Sequence, residues 1–290
     1  MKTKILLAAV LAFCIFNFSF TAPAATTINA ANHYAYAANL GWVDARGDVT
    51  SGAVIGEFVC SGSLYAANVG WISLGGGAPT NGIQYQNLSA GDFGVNQDGL
   101  GNLTGFAYGA NIGWVNFESN GAPQVDLLTG KLSGSVYSAN CGWISLSNAV
   151  AFVQTDSITQ GADTDGDGIP DAWERQNFAN QLNIATATSD SDGDGFSDLS
   201  EYLAGTSPTN AASLLKITSL TRGAPVNNTK LNWNAVATRF YAVQTNSSLS
   251  SLVWGDFSAS PTLGLNTASF TDTTSTNRFY RIRAFRPLTP

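Results

Sequence analysis

The chain has 290 residues, 13 Lys and Arg against 20 Asp and Glu, and a formal net charge of -7. That balance argues against nucleic acid as a partner, because binding there rests on neutralising phosphates with Lys and Arg. A single histidine, His33, leaves too little for Ser-His-Asp chemistry, Cys-His chemistry or a multi-histidine zinc site. Glu57, Asp92, Asp98, Glu118 and Asp126 are scattered without a paired-carboxylate motif, so the chain is not expected to be an enzyme.

At the N-terminus Lys2 and Lys4 precede an apolar run from Ile5 to Phe16 and then Ala22-Pro23-Ala24. These are the charged, apolar and small-residue regions of a secretory signal peptide, here residues 1–24. The run is shorter than the roughly 18 to 20 residues a membrane span needs, and no later segment qualifies. The mature chain is therefore expected outside the cell or at its surface, starting near Ala25 and without a membrane span.

Residues 25–158 carry four copies of Tyr-x-Ala-Asn-x-Gly-Trp-[Val/Ile], starting at Tyr36, Tyr65, Tyr108 and Tyr137. The spacings of 29, 43 and 29 residues make the true unit a 72-residue segment repeated twice. Each copy reads as strand, tight turn, strand, since Asn and Gly tolerate positive φ and the flanks are aromatic or aliphatic. With further strands expected at 53–60, 82–85 and 124–128, this region predicts an all-β domain. Trp42, Trp71, Trp114 and Trp143 recur at the same place in every unit, as core residues do, and are expected inside it. The competing reading is a row of exposed stacking platforms for polysaccharide.

Cys14 falls in the leader, leaving Cys60 and Cys141. A disulfide closing a loop of that length would contribute about 4 kcal/mol. Alternatively both are small hydrophobes, since Cys141 takes the repeat position of Leu40, Val69 and Ile112, and Cys60 that of Leu132.

Half of the chain's 20 acids lie between Asp163 and Glu201, in two loops of one grammar. Counting the first Asp as position 1, acids stand at 1, 3, 5, 9 and 12: Asp163, Asp165, Asp167, Asp171 and Glu174, then Asp190, Asp192, Asp194, Asp198 and Glu201. Position 6 is Gly168 or Gly195. A hard cation such as Ca²⁺ takes six to eight oxygens and tolerates a winding loop; alternate residues converge, glycine makes the sharp turn, and Glu at 12 closes the shell with both oxygens. Asp171 to Glu174 and Asp198 to Leu203 read as short helices, with Pro170 or Ser197 at the start. Gly205 ends the second, and Phe196, Leu199, Tyr202 and Leu203 form one packing face.

These loops, over residues 163–208, resemble the calcium loops of EF-hands and dockerins, and more closely the Asp-rich thrombospondin type 3-like repeats of secreted bacterial proteins. The apolar residue stands at position 7 (Ile169, Phe196) rather than at the EF-hand's position 8, where Pro170 and Ser197 sit. The resemblance therefore implies calcium clasps rather than an opening sensor or a dockerin.

After Pro208, strands at 214–220, 230–236, 239–245, 252–257, 268–272 and 278–285 alternate apolar and polar residues between turns, the pattern of a β-sandwich. Leu231-Asn232-Trp233, Tyr241-Ala-Val-Gln244, Trp254 and Phe279-Tyr280-Arg-Ile-Arg283 resemble fibronectin type III-like modules. The whole then reads as a mainly β protein: an all-β repeat domain, a short α-helical calcium-loop connector at 159–210 and a C-terminal sandwich at 211–290. Calcium is the expected cofactor, and polysaccharides or surface proteins are the candidate partners.

Overall fold

The computed structural model describes residues 25–47, 49–118, 120–223, 228–250, 252–257, 262–263, 267–274 and 278–289; the expected leader lies outside them. The four repeat copies are four hairpins: β1 (Ile28–Ala37) with β2 (Gly41–Asp44), β3 (Ser61–Ala66) with β4 (Gly70–Gly76), β6 (Leu103–Gly109) with β7 (Gly113–Asn116), and β10 (Ser135–Ser138) with β11 (Gly142–Ser145). Neighbouring hairpins pair edge to edge, Tyr65 opposite Asp44, Tyr108 opposite Ser73 and Tyr137 opposite Asn116. Tyr36 opposite Ser145 joins the last strand to the first, closing an eight-stranded antiparallel ring. Closure removes the sheet edges. The short strands β5 (Val95–Gln97) and β12 (Val153–Thr155) pair with β6 and β1 away from the ring, and β8 (Gln124–Val125) pairs with β9 (Leu132–Ser133).

Three of the turns share one closing bond, and all four share a glycine. Leu40 N–H donates to Ala37 O, Val69 N–H to Ala66 O and Ile112 N–H to Gly109 O, and the next residue is a left-handed glycine, Gly41, Gly70, Gly113 or Gly142, at φ 68 to 79°. This is a three-residue hairpin loop with glycine in the position where a Cβ is penalised. The repeat asparagines are not at positive φ. They act instead as latches: Asn68, Asn111, Asn140 and Asn39 donate from Nδ2 to the carbonyls of Leu40, Val69, Ile112 and Cys141 at 3.0 to 3.1 Å. Each bond reaches the neighbouring hairpin, and the four together run once round the end of the barrel.

The tryptophans are not core residues, contrary to the expectation from repetition. Trp42, Trp71, Trp114 and Trp143 are 45 to 50 % exposed, and their cross-strand partners Tyr36, Tyr65, Tyr108 and Tyr137 are 39 to 40 % exposed. Alternate strand residues face opposite ways, and the inward set is Ala37, Val43, Ala66, Ile72, Ala107, Val115, Val136 and Ile144, all at most 1 % exposed. A ring of eight strands has an interior just wide enough for side chains of this size. Each Tyr–Trp pair packs on the outer face with ring centroids 4.9 to 5.2 Å apart.

Cys60 and Cys141 are free and buried, within the same core, and burial pushes the Cys60 thiol up to about 12. They serve as small hydrophobes. Residues 53–60 form isolated bridges rather than a strand, 82–85 form none, and 124–128 contribute only β8.

The connector holds α1 (Asp171–Asn177) and α2 (Asp198–Ala204). Ser197 caps α2 by accepting from Ser200 N–H, and Gly205 ends it at φ 73°. Ile169, Trp173, Phe178, Ala185 and Tyr202 make a separate small core against Leu199 and the barrel's Phe58. Phe196 and Leu203, expected on that packing face, are instead 41 % and 40 % exposed. A seven-residue helix turns only part of its circumference toward so small a core.

The C-terminal body has two antiparallel sheets. One orders β13 (Ile217–Gly223), β14 (Asn228–Asn234) and β18 (Thr267–Asp272); in the other, β15 (Phe240–Asn246) pairs with β16 (Gly255–Asp256), β17 (Thr262–Leu263) and β19 (Phe279–Phe285). Trp233, Tyr241 and Val243 form their shared core with Phe270, Tyr280 and Ile282. No helix among the described residues is long and apolar enough to cross a membrane.

Candidate metal centre

The two acidic loops share one winding. Asp163 accepts from the N–H groups of Gly166 and Gly168 at 2.8 and 3.0 Å. Asp190 accepts from Gly193 and Gly195 at 2.8 and 2.9 Å. Position 5 accepts from position 7, Asp167 from Ile169 and Asp194 from Phe196, both at 2.8 Å. Gly166, Gly168, Gly193 and Gly195 all lie at φ 76 to 95°. A Cβ on Gly166, Gly193 or Gly195 would meet nothing within 4 Å, so it is the backbone conformation, not crowding, that demands glycine there.

This winding gathers Asp163, Asp165 and Asp167 so that one oxygen of each lies within 4.8 Å of the others, and it does the same for Asp190, Asp192 and Asp194. Asp171 and Asp198 are not part of those triads. Asp171 accepts from Thr164 N–H and Oγ at 2.7 and 2.6 Å. Asp198, fully buried, accepts from Ser191 N–H and Oγ and from Ser189 Oγ. In both loops position 9 staples position 2, bracing the ring of acids.

Glu174 and Glu201 behave differently. They are 0 and 1 % exposed. Among the described residues neither oxygen of Glu174 has a partner, and Glu201 has only Thr206 Oγ on Oε1 at 3.1 Å. Oδ2 of Asp167, Asp192 and Asp194 is likewise buried without a partner. Burial first, and then the neighbouring aspartates, raise Glu174 and Glu201 to about 7 each; the same two causes, in that order, raise Asp167. Buried carboxylate oxygens with no donor are costly. A hard cation with several open oxygen sites removes that cost, and this donor set, all oxygen and rich in carboxylate, fits Ca²⁺.

The loops are tied to both β bodies through one residue that the sequence did not single out. Glu57, in the barrel, accepts from Tyr202 of α2 at 2.7 Å and pairs with Arg239 and Arg286 of the C-terminal body at 3.2 Å each. Arg239 also donates to the carbonyls of Tyr202 and Leu203 at 2.7 and 3.1 Å, in the last turn of α2. The two guanidinium groups lie 5.7 and 5.4 Å from the Tyr202 ring. Tyr202 follows Glu201 directly, so the last acid of the second loop is the neighbour of the joint's central ring.

These units are thus a tandem of Asp-rich loop–helix modules with the build of cation sites. The family model described as Bacterial TSP3 repeat matches residues 163–177 and 190–211, which are these two modules, and that repeat family is a calcium-binding one. Comparison with curated proteins finds no match, and neither does comparison with solved structures.

Proposed function

We propose that the protein is a calcium-binding structural or interaction protein, secreted or held at the cell surface, in which the two Asp-rich loops bind Ca²⁺ and rigidify the joint between two β bodies. The observation that carries this reading is the burial of Glu174, with both oxygens unsatisfied among the described residues, and of Glu201, with Oε2 so. In each loop the triad and the position 12 glutamate would hold the ion, while Asp171 or Asp198 keeps the loop wound. Bound calcium would neutralise the repelling carboxylates and fix Glu201. Fixing Glu201 fixes the turn of α2 that carries Tyr202 onto Glu57 and offers its carbonyls to Arg239. At a calcium concentration a hundredfold above the dissociation constant, linkage would stabilise the ordered connector by about 2.7 kcal/mol per site.

Limited proteolysis of the full chain tests this. Calcium is expected to protect residues 163 to 205, and equal cleavage with calcium and with chelator would overturn it.

A second reading draws support from the outward Tyr and Trp residues: a carbohydrate-binding or adhesive surface on the barrel. Exposed aromatic surface of this kind marks interaction sites. Under it, tryptophan fluorescence should change on addition of polysaccharide, with the change reduced in Trp71→Ala or Trp143→Ala. A spectrum unmoved by any glycan of an array would dispose of it.

A further inference from the structure

A groove of about 480 Å³ runs along the C-terminal body beside α2. Phe196, Ser200, Leu203 and Ala204 line it together with Leu215 to Ile217, which lead into β13. The remaining lining is five consecutive residues of β19, Tyr280 to Ala284. Successive strand residues point to opposite faces, so five in a row border one space only if it lies along the strand's edge. The pairing agrees. Among the described residues β19 pairs with β15 alone and β13 with β14 alone, and an antiparallel edge strand turns its remaining N–H and C=O groups outward.

The chemistry of the groove narrows the occupant. Among the described residues its charged lining is Lys216, Arg281 and Arg283, with no carboxylate. Arg281 is held in place by Gln244 at 2.7 Å and by the Trp254 ring at 4.7 Å. Arg283 is half exposed, with Asp256 at 3.7 Å. Antiparallel pairing of β19 with a second copy about Ile282 would set Arg281 opposite Arg283, and like charges directly opposite are destabilising. Phe196 and Leu203 give the wall an exposed apolar lining.

We infer that this groove receives an extended acidic segment of a partner protein, which adds as a strand to the free edge of β19, with apolar side chains against Phe196 and Leu203 and carboxylates on the basic residues. Backbone pairing would supply affinity, and alternate side chains specificity. The inference does not rest on calcium in the loops.

The test uses the full chain and a fluorescent, end-capped nine-residue peptide alternating Glu and Val, followed by anisotropy. Saturable binding is expected, weakened about tenfold or more by Arg281→Glu with Arg283→Glu, and similarly by N-methylating the peptide's alternate amides. Hydrogen exchange of the unmodified protein should slow along 280–284 when the peptide binds. Absence of saturable binding, equal binding of a Lys-for-Glu peptide, or undiminished binding of the N-methylated peptide would each overturn the proposal.

Discussion

The barrel and the connector are both built from tandem repeats, yet they satisfy themselves in opposite ways. In the barrel each hairpin's asparagine satisfies the neighbouring hairpin's carbonyl. The asparagine amides of the repeat thus find their acceptors within the chain. In the connector the loops wind just as regularly, but the winding collects carboxylates and leaves oxygens of Asp167, Glu174, Asp192, Asp194 and Glu201 buried without a donor. One repeat is finished by its own geometry; the other leaves oxygens open to a cation. A repeated polar residue can therefore be tested for its role by asking whether the fold itself supplies its partner.

The contrast can be broken most forcefully at the joint. Arg239→Ala leaves Glu57 and the α2 carbonyls short of a buried cation, and removing one partner of a buried pair costs about 3 to 5 kcal/mol. Urea denaturation should show the C-terminal body melting earlier, with the barrel's transition in place. Comparable in size, Glu174→Gln with Glu201→Gln should abolish most of the calcium-dependent stabilisation, about 2.7 kcal/mol per site under a hundredfold excess. In chelator the same variant should be more stable than the parent, since it removes buried charge. Calcium titrations of thermal unfolding read both effects.

Acidity sharpens the comparison further. Glu174 and Glu201 are raised to about 7 in the folded, metal-free loops, above the ordinary value of 4.5. The folded connector then binds more protons than the unfolded chain between those values. In chelator its stability should rise as pH falls from 7 toward 4.5. In calcium the protons compete with the ion, and each loop's affinity should be about tenfold weaker at pH 6 than at pH 8. Calorimetric titration at the two pH values measures this, and the direction should reverse between chelator and calcium. The smallest effect belongs to the barrel: Asn111→Ala removes one latch and should cost about 0.5 to 1.5 kcal/mol, independent of calcium. A calcium-sensitive loss there would erase the distinction.

The loops were legible in the sequence because their chemistry is local: acids and glycines at fixed offsets within twelve residues specify the winding. The hairpins were legible for the same reason. The direction in which they face was not. Alternation says that Trp42 and Val43 point to opposite sides, but it does not say which side is inside. Only closure into a narrow eight-stranded ring, which admits Ala, Val and Ile but not four Tyr–Trp pairs, decides it. The repeat asparagines were read for their backbone tolerance, whereas their work is done one hairpin away. The joint was the least legible part, since Glu57 and Arg286 stand 229 residues apart and each is an ordinary charged residue in its own segment.

The circle of asparagine bonds has a consequence for how such a barrel can be assembled or cut. Every latch points to a neighbouring hairpin, so the circuit has a sense of rotation and a fixed membership of four. Losing one hairpin strands a donor at one end and an acceptor at the other. Two hairpins, however, form half of the circuit with one free donor and one free acceptor, and a second identical half supplies the missing mates. A 72-residue unit on its own is thus complementary to itself, and two such units would rebuild the ring about a twofold axis.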